Sequence, residues 1–169
     1  MPSLTMNYMN VPATTSLYIP ADAPHAYLKG DIIECMARSN NVLNTGFCPR
    51  ADRDSVDTFT ETLTFTPHSP DECILKAQPF DRASDKTTLY APPLPEFSML
   101  MTKLGKGEKE TIGKLGGPSM FICTSGSGTL KAAGKEAKVS EGYIFFVAHG
   151  TEIVFESEKG LETYLAFVE

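Results

Sequence analysis

The sequence has no run of Lys and Arg, no Cys-x-x-Cys pair and no apolar stretch near the ~20 residues of a membrane-spanning helix. Each absence excludes something. Fifteen basic residues against 21 acidic ones give a formal net charge of −6, a balance that repels phosphate backbones and anionic lipid. Nucleic-acid and membrane partners are therefore not expected. The densest basic stretch, 103–114, is interrupted by Glu108 and Glu110 and reads as a solvated loop or strand edge. Met1-Pro2-Ser3-Leu4-Thr5-Met6 carries neither the basic nor the apolar region of a secretory signal, so the expected compartment is the cytoplasm. In that setting the widely spaced Cys35, Cys48, Cys73 and Cys123 read as reduced thiols, mostly filling the core.

What is present is ordinary for a globular chain: 169 residues, 41% hydrophobic and 21% charged, enough for one domain and part of another. Short apolar runs alternate with Gly, Pro, Ser and Asn at 16–19, 31–36, 73–77, 97–102, 119–124, 129–132, 143–147, 152–155 and 163–167. Strands this short and evenly spaced predict an all-β antiparallel sandwich or barrel. Turns are expected at Ser125-Gly126-Ser127-Gly128 and Ala133-Gly134-Lys135, whose residues tolerate positive φ. One short helix is expected at 55–63, where Val56, Phe59 and Leu63 share a face, Ser55 caps and Asp57 lies in the first turn. Ala91-Pro92-Pro93-Leu94-Pro95-Glu96 cannot donate a sheet's hydrogen bonds and reads as an extended connector. The chain divides into 1–55 and 56–169. The second part can close its own sandwich, with a core of Phe97, Met99, Met101, Met120 or Phe121, Ile122, Phe145, Val147, Val154, Leu165 and Phe167 by alternation. The first cannot: a few strands with one apolar face must lean on something.

Two residues in the first part draw attention. His25, in Pro24-His25-Ala26-Tyr27, follows a strand corner, from which an imidazole can point into a barrel mouth. Glu34 sits inside the apolar run 32–36, where a carboxylate is costly unless paired or ligating. The plainer reading has His25 capping a loop and Glu34 on a solvated edge. Gly126-x-Gly128 and Gly113-x-x-Gly116-Gly117 open no helix and so cannot grip phosphate as a P-loop does. Ser125 and Ser127 have no His or Asp partner at a recognisable spacing, and Asp52, Asp54 and Asp57 read as a helix-start cluster.

The run PHAYLKGDIIECMARSNN, followed by GFCPR, LTFTP and YAPPLPEFSM, resembles type I mannose-6-phosphate isomerase. The resemblance covers nearly the whole chain but only the C-terminal part of the family's length. It implies a cupin-type jelly roll at 56–169, preceded at 1–55 by the return strands of a second, catalytic-type cupin. It also implies that His25 is the family's last zinc ligand. Glu34 and Tyr27 then line the sugar-phosphate pocket, and Arg50 is the basic residue beside it. Zinc is the implied cofactor, with His25 its one matching ligand.

Two departures matter. Ser39-Asn40-Asn41 and then Asn44 stand where the family has Ser-Asp-Asn and soon after a catalytic arginine, and Arg38 lies too far upstream to replace it. The family's Gln-x-His and glutamate ligands precede anything matched here, while His68 and His149 fall outside any matching metal motif. A catalytic zinc takes three protein ligands and an open position. Without the metal, isomerisation loses several kcal/mol of charge stabilisation next to the carbonyl. Three readings follow. The chain is a phosphomannose-type isomerase, weak or inactive alone. Or it is a repurposed isomerase or cyclase of a biosynthetic pathway. Or it is a non-catalytic remnant that binds a sugar phosphate or a protein. A homodimer or a partner chain would cover residues 1–55.

Overall fold

The computed structural model describes residues 5–39, 42–46, 48–53 and 55–169, except the side chain of Asp52. It divides into two compact units, Met1–Leu75 and Lys76–Glu169, a division falling after Leu75 where the sequence suggested one after residue 55.

In the first unit β1 (Ser16–Leu17) pairs antiparallel with β2 (Ile74–Leu75), extended by the Tyr18 N–H donating to the Cys73 carbonyl at 2.8 Å. Helix α1 (Val56–Thr62) forms where its cap predicts it. Ser55 Oγ accepts from the Thr58 N–H at 3.4 Å, and Asp57 occupies the first turn. Its expected apolar face is only weakly engaged, since Val56 is 71% exposed. The single expected helix is joined by a 3-10 turn at Arg50–Asp52 and by the one-turn α2 (Pro70–Cys73). The signal for α2 was Ser69-Pro70-Asp71-Glu72: Pro suits the first helical position, and Glu72 Oε2 accepts from the Ser69 N–H at 2.6 Å. The strand expected at 31–36 does not form. A strand needs a neighbour for its N–H and C=O groups, and none of the described residues provides one. Ile32 and Met36 are correspondingly 52% and 65% exposed.

The second unit is an eight-stranded antiparallel jelly roll. It comprises β3 (Gln78–Pro79), β4 (Thr87–Tyr90), β5 (Ser98–Leu104), β6 (Lys109–Ile112), β7 (Ser119–Ala132), β8 (Lys135–Ser140), β9 (Ile144–Val147) and β10 (Ile153–Phe167). Strands β7 and β10 organise it. Early β7 pairs with β9 and late β7 with β8; early β10 pairs with β6 and late β10 with β5. The two long strands also pair with each other, so each bends and serves both faces of the sandwich.

The sequence cut each long strand in two. Ser125–Gly128, expected as a turn, is instead where β7 bends across β10, beside register shifts at Ser157/Leu161 and Glu162/Thr163. Glycine is there because the backbones nearly touch: a Cβ on Gly126 would collide with the Gly160 carbonyl oxygen, and one on Gly128 with that of Glu156. The other expected turn is a true hairpin. Ala133 (φ 50°) and Gly134 (φ 72°) join β7 to β8 with left-handed backbone at both central positions.

The core contains Phe121, Val147, Leu165 and Phe167, as alternation suggested. The phase was wrong on β5, where Leu100, Thr102 and Leu104 point inward and Met99 and Met101 lie half-buried on the other side. Likewise Ile153 and Phe155 are buried rather than Val154, while Phe97, Ile122 and Phe145 are half-buried and Met120 is 53% exposed. Glu110, expected in a solvated stretch, is 1% exposed. Its carboxylate accepts the N–H groups of Ser84 (3.0 Å), Lys86 (3.1 Å) and Thr111 (2.9 Å), tying the loop before β4 to β6. The proline segment 91–96 forms no strand, and all four cysteines are free thiols, Cys123 alone being fully buried.

Candidate functional site

Three of the four residues singled out from sequence meet in the first unit. Tyr27 and Glu34 stand on either side of the Gly30 turn, where φ of 124° reverses the chain. The Tyr27 hydroxyl donates to Glu34 Oε1 at 3.2 Å. The His25 ring meets the Tyr27 ring edge-on, with centroids 5.6 Å apart and planes at 68°. His25 Nδ1 lies 3.0 Å from the Ala23 carbonyl oxygen. A carbonyl only accepts, so Nδ1 carries the proton and the neutral ring keeps its lone pair on Nε2.

The electrostatics follow from these contacts. The Tyr27 phenol is held above its ordinary value of 10.0, first by burial, then by the Glu34 charge and by the hydrogen bond between them. It therefore stays a proton donor to the carboxylate at neutral pH. The site is open, with Tyr27 50% exposed. Burial also raises the nearby Cys35 thiol above its ordinary 9.0, which keeps it protonated and unreactive at neutral pH.

Arg50 is not joined to this trio. It opens the 3-10 turn, its carbonyl accepts from the Arg53 N–H at 3.4 Å, and among the described residues no hydrogen bond or ion pair links its side chain to His25, Tyr27 or Glu34. His68 contributes its carbonyl to Asn7 Nδ2 at 2.6 Å, and His149 is exposed in the loop between β9 and β10. Asn40 and Asn41, part of the departure from Ser-Asp-Asn, lie outside the described residues.

Zinc does not fit what is present. Among the described residues no three His, Cys, Asp or Glu side chains converge as a metal site requires. His25 is oriented as metal-binding histidines are, with one ring N–H anchored on a carbonyl, but one imidazole is not a cage.

The second unit has a cupin-type jelly-roll fold. A variant of phosphomannose isomerase from Salmonella typhimurium aligns with 78% of this chain and 32% of its own, at a TM-score of 0.61 and 16% identity. Residues 88–135 match the family described as phosphomannose isomerase type I C-terminal. The mannose-6-phosphate isomerase of Cryptococcus neoformans is 38% identical over 164 residues, covering 97% of this chain and 37% of the relative. That of Emericella nidulans is 40% identical over 163 residues, covering 90% and 35%. That of Saccharomyces cerevisiae is 38% identical over 173 residues, covering 98% and 39%. The chain is thus similar to phosphomannose isomerases over nearly its whole length, and over residues 88–135 to their type I C-terminal region. It spans between 35% and 39% of the length of these curated relatives.

Proposed function

We propose that this chain is a phosphomannose-isomerase-like protein whose first unit carries part of a sugar-phosphate site. The reaction in view interconverts mannose 6-phosphate and fructose 6-phosphate: a proton leaves the carbon beside the carbonyl and is returned to the former carbonyl carbon, while the hydroxyl proton passes between the two oxygens. Glu34 is the group that takes and returns that proton. Tyr27 positions the carboxylate through its hydrogen bond, and Arg50 receives the phosphate. His25 is the residue that would face a metal. The supporting observation is the Tyr27–Glu34 hydrogen bond with the His25 ring against it, inside the stretch matched to the isomerase relatives.

Alone, the chain binds its sugar phosphate and turns it over weakly or not at all. Isomerisation develops negative charge on oxygen, which a metal or a fixed cation must stabilise. His25 brings no companions among the described residues, and the family arginine is replaced. Residues 1–55 act as the return strands of a catalytic-type cupin, covered by a second copy or a partner chain. The exposed Tyr27, Leu28, Ile32 and Met36 support that part of the reading. No helix among the described residues is long and apolar enough to cross a membrane, and the cytoplasm is the proposed location.

The test is the purified chain with zinc, assayed for conversion of mannose 6-phosphate while its metal content is measured. We expect less than one zinc per chain, negligible turnover, and saturable sugar-phosphate binding weakened by Arg50→Ala. Full turnover with one zinc per chain, lost in His25→Ala, would make the chain a complete isomerase. Turnover of an unrelated metabolite, lost in Glu34→Ala, would mark a repurposed enzyme. No binding of either sugar phosphate would refute the site.

A further inference from the structure

One row of the second unit's interior is polar. Thr87 on β4 faces Thr102 on β5, Thr102 faces Thr163 on β10, and Thr163 faces Cys123 on β7. All four are buried, Thr163 and Cys123 at 0% exposure. Apolar rows close it on either side: Leu100, Leu165 and Phe121 on one, Leu104 and Leu161 on the other.

The row's hydrogen bonds do not balance within the protein. Thr87 Oγ1 and Thr102 Oγ1 share one bond of 2.9 Å, which uses one of their two hydroxyl protons. Cys123 Sγ donates to the Ser125 carbonyl at 3.4 Å. Thr163 Oγ1 is fully buried and has no protein partner. A buried hydroxyl without a partner is costly, and protein interiors meet such groups with ordered water holding about three polar contacts.

We infer that the second unit holds one ordered internal water at the level of Thr163, bridging its hydroxyl to that of Thr102. The third contact is the Cys123 sulfur, a weak acceptor. The occupant is neutral, because apolar rows lie on either side and no charged side chain belongs to the row to balance an ion. This water is part of the core, independent of the candidate site in the first unit.

The test is a crystal structure of the full chain fine enough to resolve ordered water, alongside urea unfolding of Thr163→Val. The expected result is density within hydrogen-bond reach of Thr163 Oγ1. The valine variant, of the same shape without the hydroxyl, should unfold at a lower urea midpoint than wild type, because the water loses a partner. Thr163→Ser keeps the hydroxyl and should retain the density. Absence of density in the wild type overturns the inference, even if the valine variant fails to fold. A valine midpoint at or above wild type overturns it as well, since that is what removing a merely unpaired hydroxyl gives.

Discussion

Gly126 and Gly134 share nearly the same backbone, with φ of 82° and 72°, but differ in their surroundings. A Cβ at 134 meets nothing within 4 Å, whereas one at 126 would collide with the Gly160 carbonyl oxygen. The pair separates the cost of left-handed backbone from the cost of a collision. Left-handed φ costs an alanine about 1–2 kcal/mol, and the stiffer unfolded chain returns roughly 0.4–1 of that. Gly134→Ala is therefore expected to lower stability by about 1 kcal/mol or less, and the neighbouring Ala133 already tolerates φ of 50°. Gly126→Ala bears the same cost and must also push β7 from β10 where both are bending. That breaks ladder hydrogen bonds and shifts the packing beneath, for a total of about 3–5 kcal/mol. At roughly 2–4 °C per kcal/mol for a chain of this size, the midpoint of thermal unfolding should fall by about 10 °C or more. Circular dichroism melts and urea titrations of the two variants decide it. Equal losses would mean that the backbones separate freely at the bend and that the steric argument fails.

Other perturbations follow from contacts already described. Glu110→Ala should leave the partly buried Ser84 and Lys86 hydrogen bonds without their acceptor and cost about 1–3 kcal/mol by urea unfolding, with faster hydrogen exchange at both amides; unchanged exchange would refute the tie. Glu156 is held below its ordinary 4.5 by hydrogen bonds from Lys131 and Lys109. A lowered carboxylate adds stability above its unfolded value and loses it as pH falls through the folded one, so the loss begins below pH 4.5. Glu156→Gln should thus show a shallower decline in stability under acid than wild type, and equal slopes would count against the pairing. Burial, then the Glu162 charge and its hydrogen bond, raise the Tyr164 phenol to about 12. Ultraviolet titration should find a tyrosine ionising near 12 that Tyr164→Phe removes. Glu162→Gln should bring it down but leave it above 10, since burial is the larger cause; no movement would refute the contribution of Glu162.

Features set by a few adjacent residues were legible in the sequence. Ser55 with Asp57 marked α1, Ala133-Gly134 marked a hairpin, and the prolines of 91–96 marked a connector. Features set by a distant partner were not. Gly126 and Gly128 look like turn residues because the close approach of Gly160 and Glu156 cannot be seen locally. On β5 both parities carry apolar residues, and Thr102, which looks like a surface residue, is buried because Thr87 satisfies its hydroxyl. Glu110 sits among lysines in sequence and among backbone amides in space. The run 31–36 has a strand's pattern without a neighbour to pair with among the described residues. In the candidate site, the resemblance singled out His25, Tyr27 and Glu34, and the structure adds a Tyr27–Glu34 hydrogen bond and an edge-on His25–Tyr27 ring contact.

Strand β10, which with β7 joins both faces of the second unit, is the last of the eight in chain order. While the chain is still being made, β5, β6 and β7 must each wait with an open edge for that final segment. Closure is thus a late, all-at-once event rather than a progressive one, and it relies on contacts far apart along the chain, a topology that folds slowly. Nascent chains stalled before β10 should be sensitive to proteases and prone to stick together, and resistance should arrive only when β10 leaves the ribosome.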